Sequence, residues 1–335
     1  MSEEQKKIIL DTEGRKRISY SQFSQWFKCP QSWKYAYLDG LSKYENNVHC
    51  AFGTAIHESI QDWLTVLFTE GGLAADSFDA VSVFDRVFEK EMKGEKKVSI
   101  KDENGDYVLD SEGNKTYETK SEPVEIEEDE LKTFVEHGHT IIECVTEYGN
   151  RRKHFPTEKY ELAGIETPIN IPVMNNLAFI GYLDIVLTEK ATGKIKIVDL
   201  KTATRMWNKY QQADMGKILQ LLFYKAFYSK QFGVPVNKID VEFMILKRTL
   251  LEGVSFPENR IQKVIPPAGK VMVDEAVSTL VEFIENCFTE EGKYNKEAVY
   301  RKNPHKGKTR YSNCKYCEFS CKNGGPCDRK ETKDE

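Results

Sequence analysis

The order of elements along the chain predicts an α/β fold with helical additions at both ends. Helical patterns fill much of the first half of the 335 residues, and apolar residues recur at three- and four-residue spacing over 53–70. Apolar segments rich in β-branched residues follow within 159–201, where three strands are expected. One long helix over 211–231, a strand over 239–247 and helices near 270–288 complete the order. Such an order favours a central sheet covered by helices.

The N-terminal part shows further local signals. Residues 18–40 predict two short aromatic helices, with Ser21 as the cap of the first, Pro30 opening the second and Gly40 ending it. Turn-forming glycines within 97–122 predict an exposed β-hairpin insertion. An acidic run after Pro123 leads into another predicted helix, which extends to about residue 148.

The composition is typical of a globular intracellular protein. It is 40% hydrophobic and 30% charged, with a net charge of −5. The chain has no apolar run long enough to span a membrane and no signal-peptide core at its start, so we expect a cytoplasmic location, reduced thiols and no membrane contact. Because the balance is acidic, contact with nucleic acid must use local basic patches.

Two acids and a lysine converge on the predicted hairpin of 181–201. If the residue numbers of each cross-strand pair sum to 383, Asp184 faces Asp199 with Cβ atoms roughly 4.5–5.5 Å apart. Asp199 and Lys201 share a face of their strand because side chains alternate. Carboxylates this close repel each other unless a cation lies between them. Asp184 also interrupts an apolar run, where a lone carboxylate is costly. The pattern indicates a site for divalent metal and phosphate, the chemistry of phosphodiester cleavage. An exposed hairpin with scattered charges is the alternative.

Two helical segments carry polar residues that could join this site. His57 shares the buried side of the 53–70 helix, as a core histidine or as a metal ligand. Gln220 and Tyr224 are four residues apart and face the same way, within what is mostly a core stripe. Polar groups in such a stripe need partners when buried, and the strands could supply them.

The C-terminal segment combines cysteines with basic residues. Cys314, Cys317, Cys321 and Cys327 form a C-x-x-C pair followed by two more cysteines, a pattern typical of zinc or an iron–sulfur cluster. Two basic groups could hold backbone phosphates, or could be solvated surface. Their members are Arg205, Lys209, Lys306, Lys308 and Arg310.

Together these motifs resemble the RecB-like branch of the PD-(D/E)XK nuclease superfamily. They are most similar to its iron–sulfur members, typified by AddB and the small CRISPR-associated exonucleases, and the resemblance covers most of the chain. It rests on five motifs in order, which are 19–30, 53–57, 181–184, 199–201, and Gln220 with Tyr224.

The resemblance implies a role for each matching residue. His57, Asp184, Asp199 and the backbone carbonyl of Leu200 would hold Mg or Mn, and Lys201 would orient or deprotonate the attacking water. Gln220 and Tyr224 would position Lys201 or the DNA. The implied layout has four parts: 1–50, helical and bearing the first cluster cysteine; 51–150, helical with the insertion; 151–295, the nuclease core; and 296–335, basic and metal-binding.

A [4Fe–4S] cluster is implied by the same resemblance. Cys29 matches the N-terminal ligand, and Cys314 and Cys317 match the next two. The family commonly spaces the last pair by five residues, whereas this chain offers Cys321 after three and Cys327 after nine. We favour Cys327, because the preceding Gly-Gly-Pro can turn the chain, with Cys321 as the alternative. A zinc site on the four C-terminal cysteines is the rival.

The function expected from the resemblance is that of a Mg- or Mn-dependent deoxyribonuclease. We expect an exonuclease of DNA recombination, repair or replication that acts on single- or double-stranded ends, with a helicase or recombination protein as a partner. One alternative is a non-cleaving DNA-binding or assembly subunit on a nuclease-like scaffold. Another is a CRISPR or RNA-processing nuclease.

Overall fold

A mixed six-stranded sheet forms the centre of the protein. The computed structural model describes residues 14–42, 47–99, 116–250, 259–302, 314 and 316–327. The strand order is β1-β5-β6-β7-β8, with β4 paired to β5, and β2 pairs separately with β3. The strands are β1 (Lys16–Ser19), β2 (Glu95–Ser99), β3 (Tyr117–Ser121), β4 (Tyr160–Val173), β5 (Leu177–Glu189), β6 (Ile195–Ala203), β7 (Ile239–Lys247) and β8 (Ile261–Val264).

Helices cover both faces of this sheet. They are α1 (Tyr20–Lys28), α2 (Pro30–Trp33), α3 (Val48–Thr69), α4 (Gly72–Ser77), α5 (Ala80–Met92), α6 (Glu128–Thr146), α7 (Tyr148–His154), α8 (Lys209–Gln212), α9 (Met215–Phe232) and α10 (Lys270–Cys287), with short π or 3-10 turns at Lys34–Leu38, Val236–Lys238 and Cys321–Asn323. Among the described helices, none combines the length and apolarity needed to cross a membrane.

Each face of the sheet has its own hydrophobic core. Side chains of α1, α9 and α10 pack on one face, with Phe23, Phe223 and Phe283 fully buried at the centre. On the other face α3, α5 and α6 pack around Phe52 and Phe134. Each Å² of apolar surface that is removed from water contributes about 25 cal/mol to the stability of the fold, so both layers are held on the sheet. The sheet is therefore held from both sides, which fixes the strands that carry the polar site.

The strand predictions for 159–201 and 239–247 are confirmed, as is the α/β class. The helix predicted to begin at residue 53 begins at Val48, because the Asn47 side chain caps it by accepting from the backbone N–H groups of residues 49 and 50. The cap of α1 is Ser19 rather than Ser21, since Ser19 has extended backbone and its hydroxyl accepts from the Gln22 N–H.

The N-terminal segment differs from the expected layout in one respect. The first fifty residues were expected to be helical, but they also supply β1, which pairs in parallel with β5. A run of four strand residues is too short to show a clear alternation in sequence. The hairpin expected over 97–122 is present as the antiparallel pair β2 and β3, and residues 100–115 lie outside the described residues.

Candidate active site

The sheet forks at the predicted acidic motif. β5 and β6 pair only from Ile185↔Val198 to Thr188↔Ile195, in the register whose numbers sum to 383. Beyond that point β5 stays paired with β4, while β6 runs parallel to β7 as far as Ala203. Asp184 stands where the two strands separate, and its Oδ2 accepts a hydrogen bond from the Leu200 backbone N–H at 2.7 Å. The fork opens a cleft beside both acidic motifs.

His57 approaches this fork from α3. Its Nδ1 lies 3.6 Å from Asp184 Oδ2, and a quarter of its side chain is exposed. Burial lowers the pKa of His57 to about 4, with the Lys201 ammonium adding to the effect and a hydrogen bond with the Leu200 backbone opposing it. The imidazole is therefore neutral near pH 7, the state in which it can bind a metal.

Glu166 of β4 is a site residue that the sequence reasoning missed. Ligand atoms of His57, Glu166 and Asp184 all lie within 4.8 Å of one another. Glu166 has a φ of 45°, in the left-handed region that non-glycine residues rarely adopt, which costs about 1–3 kcal/mol and is common at active sites. The Gln61 amide donates to the Glu166 carboxylate at 2.7 Å and to the Asp184 carbonyl at 3.3 Å. The only signal in the sequence was an acid on the strand preceding the motif strand.

Asp199 and Lys201 of β6 form a buried ion pair. Lys201 Nζ lies 2.6 Å from Asp199 Oδ2, and Asp199 is only 1% exposed. Burial raises the pKa of Asp199, and Lys201 opposes that effect. Burial also raises the pKa of Asp184 well above its usual value, and the neighbouring Asp199 charge raises it further. Burial disfavours the Lys201 ammonium, but Asp199 and Asp184 outweigh burial and raise its pKa.

Gln220 and Tyr224 reach the cleft from α9. The Gln220 amide donates to the Tyr224 hydroxyl at 3.0 Å. Burial raises the pKa of Tyr224, and the charges of Asp199 and Asp184 raise it further. A Cβ added at Gly181 of β5 would lie 3.1 Å from the Tyr224 ring, so the glycine permits this close approach.

The donors at the fork fit a divalent ion. Neighbouring ligands of an octahedral ion with bonds of about 2.0–2.1 Å lie about 2.9 Å apart and opposite ligands about 4.1 Å apart. The 3.6 Å between His57 Nδ1 and Asp184 Oδ2 lies between these two spacings, so a shift of less than about 1 Å would bring both atoms onto one ion. One imidazole nitrogen and several carboxylate oxygens suit hard or borderline cations. Carboxylates with raised pKa values also gain from a cation that neutralises them.

A cavity of about 590 Å³ lies next to the fork. Tyr182 of β5, 43% exposed, contributes to its wall beside Gln220. Four more tyrosines line it, namely Tyr20, Tyr37, Tyr224 and Tyr294. Aromatic side chains in a groove beside a candidate metal site are suited to stacking on bases.

The cysteine motif brings the two ends of the chain together. Burial raises the pKa of the Cys327 thiol; Lys302 opposes this, and Cys29, Cys314 and Cys317 raise it further. Cys321 is exposed. Among the described residues no three cysteine sulfurs lie within 4.8 Å of one another.

The predicted DNA-binding residues fall into two groups. Arg205 is exposed just past the end of β6, and Lys209 of α8 stacks at 5.1 Å over the ring of the exposed Tyr210. Trp207, which lies between Arg205 and Lys209 in the sequence, is buried and packs on Phe243, so it does not add an exposed ring to this group. Lys306, Lys308 and Arg310 lie outside the described residues.

Comparison with known proteins identifies the family. The family model of the PD-(D/E)XK nuclease superfamily matches residues 17–321. The chain belongs to this superfamily. Membership implies a nuclease that hydrolyses phosphodiester bonds with divalent metal and takes nucleic acid as its substrate. The sheet with helices on both faces is consistent with a PD-(D/E)XK core.

Two further comparisons add little. A search of curated proteins finds no significant match. One solved structure, described as "Crystal structure of SSO0001", is 11% identical, covers 88% of this chain and 93% of that chain, and has a TM-score of 0.28. A TM-score this low carries no argument about fold or function.

Proposed function

We propose that this PD-(D/E)XK protein is a Mg- or Mn-dependent deoxyribonuclease, and specifically an exonuclease acting at DNA ends in recombination, repair or replication. The observation that carries the proposal is the convergence at the sheet fork of His57, Asp184, Asp199 and Lys201. A helicase or recombination protein is the expected partner, because such proteins supply unwound ends.

His57, Asp184, Asp199 and the Leu200 carbonyl would hold the metal, and the geometry adds Glu166 to this set. A bound divalent ion supplies Lewis acidity for the scissile phosphate and lowers the pKa of water. His57 can donate its lone pair because its lowered pKa keeps it neutral. Gln61 holds Glu166 in its strained conformation, so the carboxylate stays directed at His57 and Asp184.

Lys201 is the residue that would act on the reacting groups. Its ammonium is held 2.6 Å from Asp199 at the edge of the cleft, where it can orient the attacking water and stabilise charge on the phosphate. Tyr224 and Gln220 would position the strand or Lys201 from the opposite wall. The tyrosine-lined cavity offers ring faces to the bases of the bound strand.

We further propose that Cys29, Cys314, Cys317 and Cys327 hold a [4Fe–4S] cluster. Cys29, Cys314 and Cys317 lie close enough to Cys327 to raise the pKa of its thiol, which supports Cys327 as the fourth ligand. A single tetrahedral zinc with Zn–S bonds of about 2.3 Å needs sulfurs about 3.8 Å apart. In a [4Fe–4S] cluster, by contrast, each of the four thiolates would bind a different iron. Its role would be to join the N- and C-terminal segments.

The proposal is tested by cleavage of end-labelled linear DNA. Anaerobically purified wild type and Asp199→Ala protein would be compared on single- and double-stranded DNA with Mg, Mn or EDTA. Metal-dependent shortening by the wild type alone is expected, and the position of the label gives the polarity. If both proteins stay folded and bind DNA but neither cuts, the non-cleaving subunit becomes the better assignment. Cleavage of RNA but not DNA would favour the RNA-processing alternative.

A further inference from the structure

A second pocket, of about 340 Å³, opens at the ends of β6 and β7. It is lined by His49 and Phe52 of α3, by 202–204 at the end of β6, and by Arg248, which directly follows β7. Thr202 is the residue after Lys201, and His49 and His57 lie on the same helix. Two of its three lining segments, α3 and β6, therefore also carry residues of the candidate active site.

Arg248 is held in place by an aromatic ring. Its guanidinium lies 4.1 Å from the centroid of Phe134, a fully buried residue of α6 whose ring also meets His49 at 5.3 Å. The Arg248 backbone N–H donates to the Ala203 carbonyl at 2.8 Å, and its carbonyl accepts from Arg260 at 2.8 Å. Stacking uses the face of the guanidinium and leaves its N–H edge to bind a ligand, with little further loss of entropy.

The pocket has the chemistry of an anion site. Its described lining combines a guanidinium, an imidazole and the hydroxyls of Thr202 and Thr204, and includes no carboxylate. Arg205 follows at the same end of the sheet. Guanidinium and hydroxyl donors together are suited to phosphate oxygens. Apolar ligands would find little surface here, because Phe52 and Ala203 are the only apolar residues that line the pocket among those described.

We propose that this pocket is a phosphate subsite, which binds a phosphate next to the scissile one on the cleaved strand. Strand residues rise about 3.2–3.4 Å each, so Thr202 and Thr204 lie about 3 to 10 Å beyond Lys201. This span brackets the distance between neighbouring phosphates of one strand, which exceeds the roughly 3.4 Å axial rise per nucleotide because the backbone winds around the helix axis. The subsite deepens the proposed function and rests on it. Its phosphate is either an internal one or the terminal phosphate of the strand.

Binding measurements on uncleaved DNA test the subsite. Arg248→Gln and Arg152→Gln would each be made in the Asp199→Asn protein, and affinity for short oligonucleotides measured by fluorescence anisotropy at several salt concentrations. Arg152 on α7 is a matched control, since it is exposed, pairs with Glu158 and lines neither pocket. Arg248→Gln should lower affinity about 10-fold and reduce the salt slope by about 1, and the control should match its parent.

Oligonucleotides with and without a terminal phosphate separate the two sources. If Arg248→Gln loses the same affinity for phosphorylated and unphosphorylated oligonucleotides, the subsite binds an internal phosphate. If it loses affinity only for oligonucleotides phosphorylated at one end, the subsite binds that terminal phosphate. Either result supports the subsite. Thr202→Val, which keeps the side-chain shape, should weaken binding several-fold and replaces Arg248→Gln if that protein unfolds.

Unchanged affinity and salt slope in the folded variants would overturn the subsite. A parent protein that binds no DNA would overturn the subsite and the proposed function together. DNA binding that depends on Arg248, in a protein whose wild type does not cleave, would overturn only the nuclease assignment.

Discussion

Gly181 is the point at which one substitution should disturb the candidate active site without unfolding the protein. A Cβ there would lie 3.1 Å from Tyr224 Cε1 and 3.5 Å from the Phe179 ring. Carbon atoms pack best about 3.5–4.0 Å apart, so Gly181→Ala must displace the Tyr224 ring by about 0.4–0.9 Å. A misplacement of about 1 Å can cost 100-fold in rate. We therefore expect kcat to fall about 10-fold.

Single-turnover cleavage of end-labelled DNA measures this effect apart from product release. Gly269→Ala is the matched control, because nothing lies within 4 Å of its Cβ position and its φ of −67° suits alanine. Tyr224→Phe, which removes the hydroxyl that accepts from Gln220, should also slow cleavage. A folded Gly181→Ala protein that cleaves at the wild-type rate would refute the positioning role of Tyr224.

Three further predictions concern the metal sites. Glu166→Gln should weaken Mn binding about 10-fold by isothermal titration calorimetry, because it removes a charged donor beside Asp184. Burial raises the pKa of Asp184 well above its usual value, whereas that of His57 is lowered to about 4, so metal competes with protons at the Asp184 carboxyl and should bind more tightly as pH rises through that raised pKa. Cys29→Ser should lose bound iron and its visible absorbance, while Cys321→Ser should keep both.

Each of these predictions has its own control. The exposed Glu161 lies on the same strand as Glu166, and Glu161→Gln should leave Mn affinity unchanged. Calorimetry in buffers of different ionisation enthalpy counts the protons released, and fewer should be released by Asp184→Asn than by wild type; equal release would contradict the carboxyl source. Stoichiometric zinc without iron after anaerobic purification would refute the cluster.

The sheet and the motif register could be predicted from local sequence. The strand over Ile239–Lys247 contains the unbroken apolar run 243–246 and is buried at every position except Asp240, as expected for a strand covered on both faces. In the β5–β6 hairpin the residue numbers of each pair sum to 383, and this register follows from the short turn, where Gly193 takes a φ of 67°. Each of these two signals is contained in a short stretch of neighbouring residues, so no tertiary information is needed to recognise it.

The remaining site residues depend on tertiary contacts. Glu166 carries no motif, and it reaches the site because the pairing of β4 with β5 places it beside Asp184 and within 4.8 Å of the His57 ligand atom. Arg248 and His49 are far apart in sequence and meet only because both pack on Phe134. Neither arrangement leaves a periodic pattern in the sequence, which is why motif spacing could not find them.

The most direct test of metal-dependent cleavage at the fork is a comparison of Lys201→Ala with wild type. Cleavage, Mn binding and DNA binding would be measured on the same preparations. Because Lys201 is proposed to act on the water and phosphate, the variant should bind Mn and DNA but lose cleavage by at least 100-fold, on the scale of a removed oxyanion donor. A folded Lys201→Ala protein that cleaves DNA at the wild-type rate would contradict the assignment.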